Sequence, residues 1–252
     1  MVKEMQSLRE YVSKLIPAGK PQRVALALGL TALAFAALPA IASANISLRE
    51  GSGTGTKIVV GKAVTIKSSN LVFSTTGPAV GNVECSNSTL SGHVSLNGAP
   101  QAKIQITSAA FKGAEEGALE RCKTTIAGPI RPLTAEVSAV NLAWISAFEQ
   151  NGTSTTEGLS RIVATTGSVG LRSKLFAEVS KGVVAQVSNC VYEKESVAGT
   201  FTIGNALGDL ISAPEFALNA GASTGECPSG GTLSGTGTVE ASGGVSVFTS
   251  TP

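Results

Sequence analysis

The sequence contains one histidine, His93, and one aspartate, Asp209. Catalytic groupings that pair His with Asp have little material here, and a histidine-based metal site would have to borrow carboxylates. Aromatic residues make up 4% of the chain and charged residues 14%, with a single Trp. Single-stranded nucleic acid is held by a basic groove interleaved with aromatic rings, and nothing of that kind is present. Neither H-x-x-x-H nor C-x-x-C occurs, so the usual zinc and dithiol signatures are missing as well. What is plentiful is small and apolar: 42% of residues are hydrophobic and 29 are glycine. That composition belongs to a folded chain.

Positive charge is gathered at one end. Lys3, Arg9, Lys14, Lys20 and Arg23 precede an apolar run from Val24 to Ala44, and the next charged residue is Arg49. A basic region followed by an apolar one is the order of a secretory signal peptide. Pro39 interrupts the run, and Ala42 and Ala44 fit an A-x-A cleavage site, so the expectation is cleavage after Ala44. The alternative is a retained anchor, because about 18 apolar residues can span a bilayer. Removing residues 1–44 takes five of 19 basic residues and two of 17 acidic ones, leaving 14 against 15. The mature chain is then nearly neutral, and its charge offers no argument for binding DNA or anionic lipid.

All four cysteines fall in the mature part, at Cys85, Cys122, Cys190 and Cys227. An even number behind an export signal reads as disulfides, and four cysteines allow three connectivities. Cys85 and Cys122 stand 37 positions apart, and so do Cys190 and Cys227. The flanking segments also repeat: Asn70–Cys85 parallels Ser173–Cys190, with Phe73 near Phe176, and Thr89–Gly98 parallels Ser196–Asn205. This reads as an internal duplication in which each copy keeps its own bridge, Cys85 with Cys122 and Cys190 with Cys227. Equal spacing by chance is the competing account.

Most of the mature chain alternates apolar residues with Ser, Thr or Gly over short stretches such as KIVVG, AVTIKS, NLVFST, AKIQITSAAF, SRIVATTG, GTFTIG and VSVFTS. Period 2 is the mark of strands buried on one face. Asn97-Gly98, Asn151-Gly152, Gly230-Gly231 and Gly243-Gly244 read as turns between them. The expected fold is all-β, an antiparallel sandwich or barrel of two pseudo-repeated halves with one or two short helices, over 113–122 and 205–216. Residues 45–56 read as a flexible Gly-rich lead-in, 57–140 as the first repeat and 141–252 as the second, with a hairpin about Asn151-Gly152 joining them and the halves packed as one domain.

NLVFST followed by GNVEC, then TLSG, CKTT and NLAW, and later NCVYE, VAGTF and CPSGGTLSG, together resemble a group of exported actinobacterial β-rich proteins of unknown function with two cysteine pairs. The resemblance covers roughly Lys57 to Pro252. A Leu-Pro-Trp of that group is replaced here by Leu142-Ala143-Trp144. It implies an exported β-rich protein and carries over no catalytic or binding residue.

Each chemical candidate has a plainer reading. His93 lies in an alternating stretch and reads as a strand residue. Glu115, Glu116 and Glu120 cluster and Asp209 lies near Glu215, but a glycosidase pair needs a cleft, and Glu115 with Glu116 reads as a solvated face at a helix start. Gly51–Lys57 has the glycine content of a phosphate loop, but no Gly-Lys-Ser/Thr follows. Trp144 reads as a core anchor. The expectation is thus an exported, disulfide-stabilised structural or surface interaction protein, with no catalysis, cofactor or metal, no nucleic-acid partner and no membrane span in the mature chain. The alternative is a binder of an apolar small molecule or lipid between the sheets.

Overall fold

The computed structural model describes residues 46–77, 79–98, 100–114, 120–127, 132–206 and 208–251. The expected signal peptide over 1–44 lies outside them. So does most of the helical turn expected over 113–122, whose residues 115–119 are not described.

The first half supplies β1 (Ser47–Glu50), β2 (Thr56–Lys57), β3 (Ala63–Ser68), β4 (Leu71–Thr76), β5 (Gly81–Cys85), β6 (Asn87–Gly98), β7 (Gln101–Lys112), β8 (Cys122–Thr124) and β9 (Thr134–Val140). The second supplies β10 (Trp144–Gln150), β11 (Glu157–Ala164), β12 (Val169–Ser180), β13 (Val183–Lys194), β14 (Ser196–Thr202), β15 (Gly208–Leu218), β16 (Gly230–Ala241) and β17 (Val245–Ser250). The one helical element among the described residues is a 3₁₀ turn, Ala220–Ala222. The period-2 stretches account for this: β4 is buried at Leu71, Phe73 and Thr75, and β16 alternates buried and exposed along most of its length. KIVVG is an exception, since β2 ends at Lys57 and Val59 and Val60 are exposed.

All strand pairings are antiparallel, and they close. β3, β6, β7, β10, β11, β14, β15 and β16 pair in that order, and β16 returns to β3. A second circuit runs β4, β5, β8, β9, β12, β13, β15, β16 and back to β4. Closure leaves the participating strands with few bare edges and directs one face of each inward. The interior is apolar, with Val94, Ile104, Ile106, Phe148 and Phe216 almost wholly buried. Residues Ser43–Pro252 form one compact unit.

β3 pairs with β6 through Ile66↔Leu90 and β11 with β14 through Ile162↔Val197. β4 pairs with β5 through Leu71↔Cys85 and β12 with β13 through Ser173↔Cys190. β16 pairs with β15, β4 and β3, and so does in one strand what β9 and β10 do in two, against β7, β12 and β11. Between β9 and β10, Asn141 adopts φ 59°. Asn tolerates that region better than most residues, and its Nδ2 donates to the Ser168 carbonyl at 3.0 Å.

Several sequence expectations are corrected here. Of the lead-in expected over 45–56, the described residues 46–56 are not flexible chain: β1 is held between β17 and β2, and Leu48 is completely buried. Where a helix is expected over 205–216, the residues from Gly208 onward form strand β15, with Pro214 at a register shift between Ala213 and Phe216, where a missing N–H is tolerated. Gly230-Gly231 opens β16 instead of turning. A Cβ on Gly231 would lie 2.6 Å from the Phe73 ring, so the glycine makes room for the ring. Phe73 matches Leu175 by register, not Phe176, which points to the other face of its strand. The hairpin about Asn151-Gly152 does form, with Gly152 at φ 59° where a left-handed residue is needed.

Candidate functional site

The sulfur framework is paired within each half. Cys85 and Cys122 are bonded with Cα atoms 4.6 Å apart, and Cys190 and Cys227 with Cα atoms 5.6 Å apart. Cys85 ends β5 and Cys122 opens β8, which pairs with β5 through Val83↔Thr124. Cys190 lies in β13, and Cys227 follows a segment bridged to β13 through Asn189↔Thr224. Each bridge closes a span of 37 positions, for which chain entropy predicts about 4 kcal/mol of stabilisation. Such bridges persist in oxidising compartments. No helix among the described residues is long and apolar enough to cross a membrane.

Where the inner faces of the halves meet, two adjoining cavities remain. They share Leu71, Phe111, Leu171 and Leu233 as a common wall. The larger, bounded also by Ser88, Leu90 and Trp144, leaves 40 Å³ for the centre of a water-sized sphere, and the smaller, bounded by Phe73, Ser173 and Tyr192, leaves 20 Å³. Aromatic rings surround them: Phe73 lies 4.8 Å from Tyr192 and 6.0 Å from Phe216 between ring centroids. Burial holds the Tyr192 phenol well above its ordinary pKa, because the phenolate would lose its water. Trp144 is buried, as its reading as a core anchor required, and its Nε1 donates to the Val140 carbonyl at 3.2 Å.

Two polar side chains in these walls have no partner. The hydroxyls of Ser88 and Ser173 are buried without a hydrogen bond, although the two residues are only 3% and 5% exposed. Neither stands out in the sequence. The available signal is a serine in line with apolar inward positions, Ser88 two places before Leu90 and Ser173 two places after Leu171.

The other sequence candidates are not brought together. His93 is half-buried on β6 opposite Ala63 and Gln105. Glu115 and Glu116 lie outside the described residues, while Glu120 is ion-paired with Lys112. Asp209 and Glu215 stand six positions apart on β15, roughly 20 Å along a strand, too far for a paired-carboxylate mechanism. Gly51–Lys57 forms the turn from β1 to β2 and opens no helix, so it has no phosphate-binding geometry. Gly221-Ala222-Ser223-Thr224-Gly225 matches the G-x-S-x-G of hydrolases, a match absent from the candidates drawn from sequence. Its Ser223 follows a 3₁₀ turn, donates to the Asn219 carbonyl at 2.7 Å and accepts the Val191 N–H at 2.9 Å. A nucleophile elbow needs a strand before the serine and a helix after it; here the hydroxyl is a structural clip. Among the described residues no three His, Cys, Asp or Glu gather as a metal site.

Outside, Arg121 sits 3.5 Å above the Phe176 ring and bonds Glu136 at 3.0 Å, with Lys174 at 3.6 Å from the same carboxylate. This joins the segment beside Cys122 to β9 and β12. The Lys174 pair is well exposed and contributes little, while Arg121 is mostly buried and bonds Glu136 through two nitrogens.

No family model, curated protein or solved structure matches this chain. The resemblance to exported actinobacterial proteins therefore rests on the quoted segments alone.

Proposed function

We propose that the protein is exported, cleaved after Ala44, and works without catalysis as a structural or surface interaction module made of two related halves. The observation that carries this is the placement of the bridges: each clamps the corresponding strands of its own half, while the halves share one closed apolar interior. Ile46, two residues past the expected cleavage site, is already fully buried, which supports a mature chain starting at Asn45. Intact-mass analysis of protein released from the surface of producing cells tests the reading. The expected mass starts at Asn45 and includes two disulfides; a chain retaining Met1–Ala44, or found inside the cell with reduced cysteines, would contradict it.

The cavity favours a second reading, in which the module binds an apolar small molecule. Size decides what kind. One water needs ~10–15 Å³ of such space, so the larger cavity offers room for about three waters, near 90 Å³ of liquid, and the smaller for about one or two. A compact molecule of a few heavy atoms fits the larger volume and a lipid chain does not.

A further inference from the structure

Two Asn-Gly pairs occur in the chain, Asn97-Gly98 and Asn151-Gly152. In such a pair the glycine nitrogen can close on the asparagine side chain, because glycine has no Cβ to obstruct the approach. The fold places the two pairs in opposite surroundings. Asn97 lies in β6 opposite Ala102 and is 9% exposed. Its side-chain amide accepts the Leu48 N–H and donates to the carbonyls of Leu48 and Ile58.

Asn151 follows β10 at the turn into β11, and Asn151, Gly152 and Thr153 are all exposed. Its backbone is tied on both sides: its N–H donates to the Glu157 carbonyl and its own carbonyl accepts the Ser154 N–H, each at 3.0 Å. Its side chain is free. Among the described residues neither the Asn151 side-chain amide nor the Gly152 N–H has a hydrogen-bond partner. Gly152 stands at φ 59°, and beyond its chain neighbours no atom lies within 4 Å of where a Cβ would be, so solvent reaches both reacting groups.

We propose that Asn151 is a site of spontaneous deamidation and that the fold protects Asn97 from the same reaction. Hydroxide takes the Gly152 amide proton, and the nitrogen attacks Cγ of Asn151, closing a five-membered imide. The bond from Cγ to Nδ2 breaks, and the leaving nitrogen takes a proton from water and departs as ammonia, which restores the hydroxide. Water then opens the ring. Cleavage of the new N–Cγ bond gives aspartate; cleavage of the original backbone C–N bond gives isoaspartate, with the chain routed through Cβ and Cγ. Nothing is oxidised or reduced, and either product places a carboxylate where the hairpin carried a neutral amide.

The two sites differ in what each gives up to react. Asn151 must release at most the exposed bond from Ser154, worth about tenfold in rate or less. Asn97 must release three buried bonds and bring its amide to water, which slows it by about a hundredfold or more.

The test is incubation of the full chain, both bridges oxidised, in mildly alkaline buffer, with peptide mapping at intervals and a synthetic Glu149–Ser154 peptide as reference. Asn151 should convert within about tenfold of the peptide's rate, giving both aspartate and isoaspartate, and Asn97 should lag Asn151 by about tenfold or more. In concentrated guanidinium chloride the two should convert at similar rates, because the protection of Asn97 comes from the fold. An Asn151 slowed further than that against the peptide, an Asn97 that keeps closer pace in the folded chain, or an Asn97 that stays slow when unfolded overturns the proposal. No variant is needed, so misfolding does not obstruct the decision.

Discussion

Asn97 holds Leu48 in place by its side chain. Its Oδ1 accepts the Leu48 N–H at 2.7 Å, and its Nδ2 donates to the carbonyls of Leu48 at 2.9 Å and Ile58 at 2.7 Å. One buried amide thereby ties both β1 and the exit from β2 to the end of β6, using the side chain as a substitute for a strand partner.

Asn97→Ala removes the partner of the Leu48 N–H and of the Ile58 carbonyl, while the Leu48 carbonyl keeps the Ile58 N–H at 2.9 Å, and an unpaired buried group costs more than a made bond returns. The expected loss is about 2–4 kcal/mol in urea unfolding. Asn97→Asp should be at least as damaging, because a carboxylate cannot donate to the two carbonyls and would be buried with its charge.

Trp144 is the sole tryptophan and 3% exposed. Its fluorescence should be blue-shifted and resist quenching by iodide, and both properties should disappear on unfolding. Trp144→Ala removes the ring from the cavity wall and should lower stability by about 3–5 kcal/mol, read as a fall in melting temperature. An unchanged melting temperature would mean that the ring lies outside the core.

The raised pKa of Tyr192 fixes the direction of an alkaline effect. The phenol deprotonates in the unfolded chain near pH 10 but resists doing so when buried, so the unfolded state releases its proton first. The stability this residue contributes is complete below about pH 10 and is lost as pH rises from there towards the folded-state value. Tyr192→Phe should flatten the fall in stability above pH 10, and phenolate absorbance should appear together with unfolding. A Tyr192 that titrates normally in the folded protein would contradict its burial.

Reduction should cost about 4 kcal/mol per bridge. Cys85→Ser with Cys122→Ser, and Cys190→Ser with Cys227→Ser, should each lower the urea midpoint, and the two losses should be close to additive if each bridge constrains its own half.

The β class, the strand stretches and the bridge pairing are legible in the sequence because each depends on a local period or spacing. Alternation at Leu71, Phe73 and Thr75 needs no knowledge of the partner strand, and neither does the equal separation of the cysteines. The misreadings share another cause. Ile46 and Leu48 carry the inward period of β1, but the Gly-rich turn that follows masks it. Over residues 205–216 a local pattern favours a helix, and pairing with β16 overrides it. Gly231 owes its identity to Phe73, a residue far away in sequence. The cavity is illegible for the same reason: Ser88, Trp144 and Leu171 come from separate strands of both halves, and only the closed sheet brings them to one space.

The most direct measurement of the central claim is peptide mapping of the exported protein under non-reducing conditions. The account predicts two cross-linked peptide pairs, one joining Cys85 to Cys122 and the other Cys190 to Cys227. A peptide joining a cysteine of the first half to one of the second would contradict it.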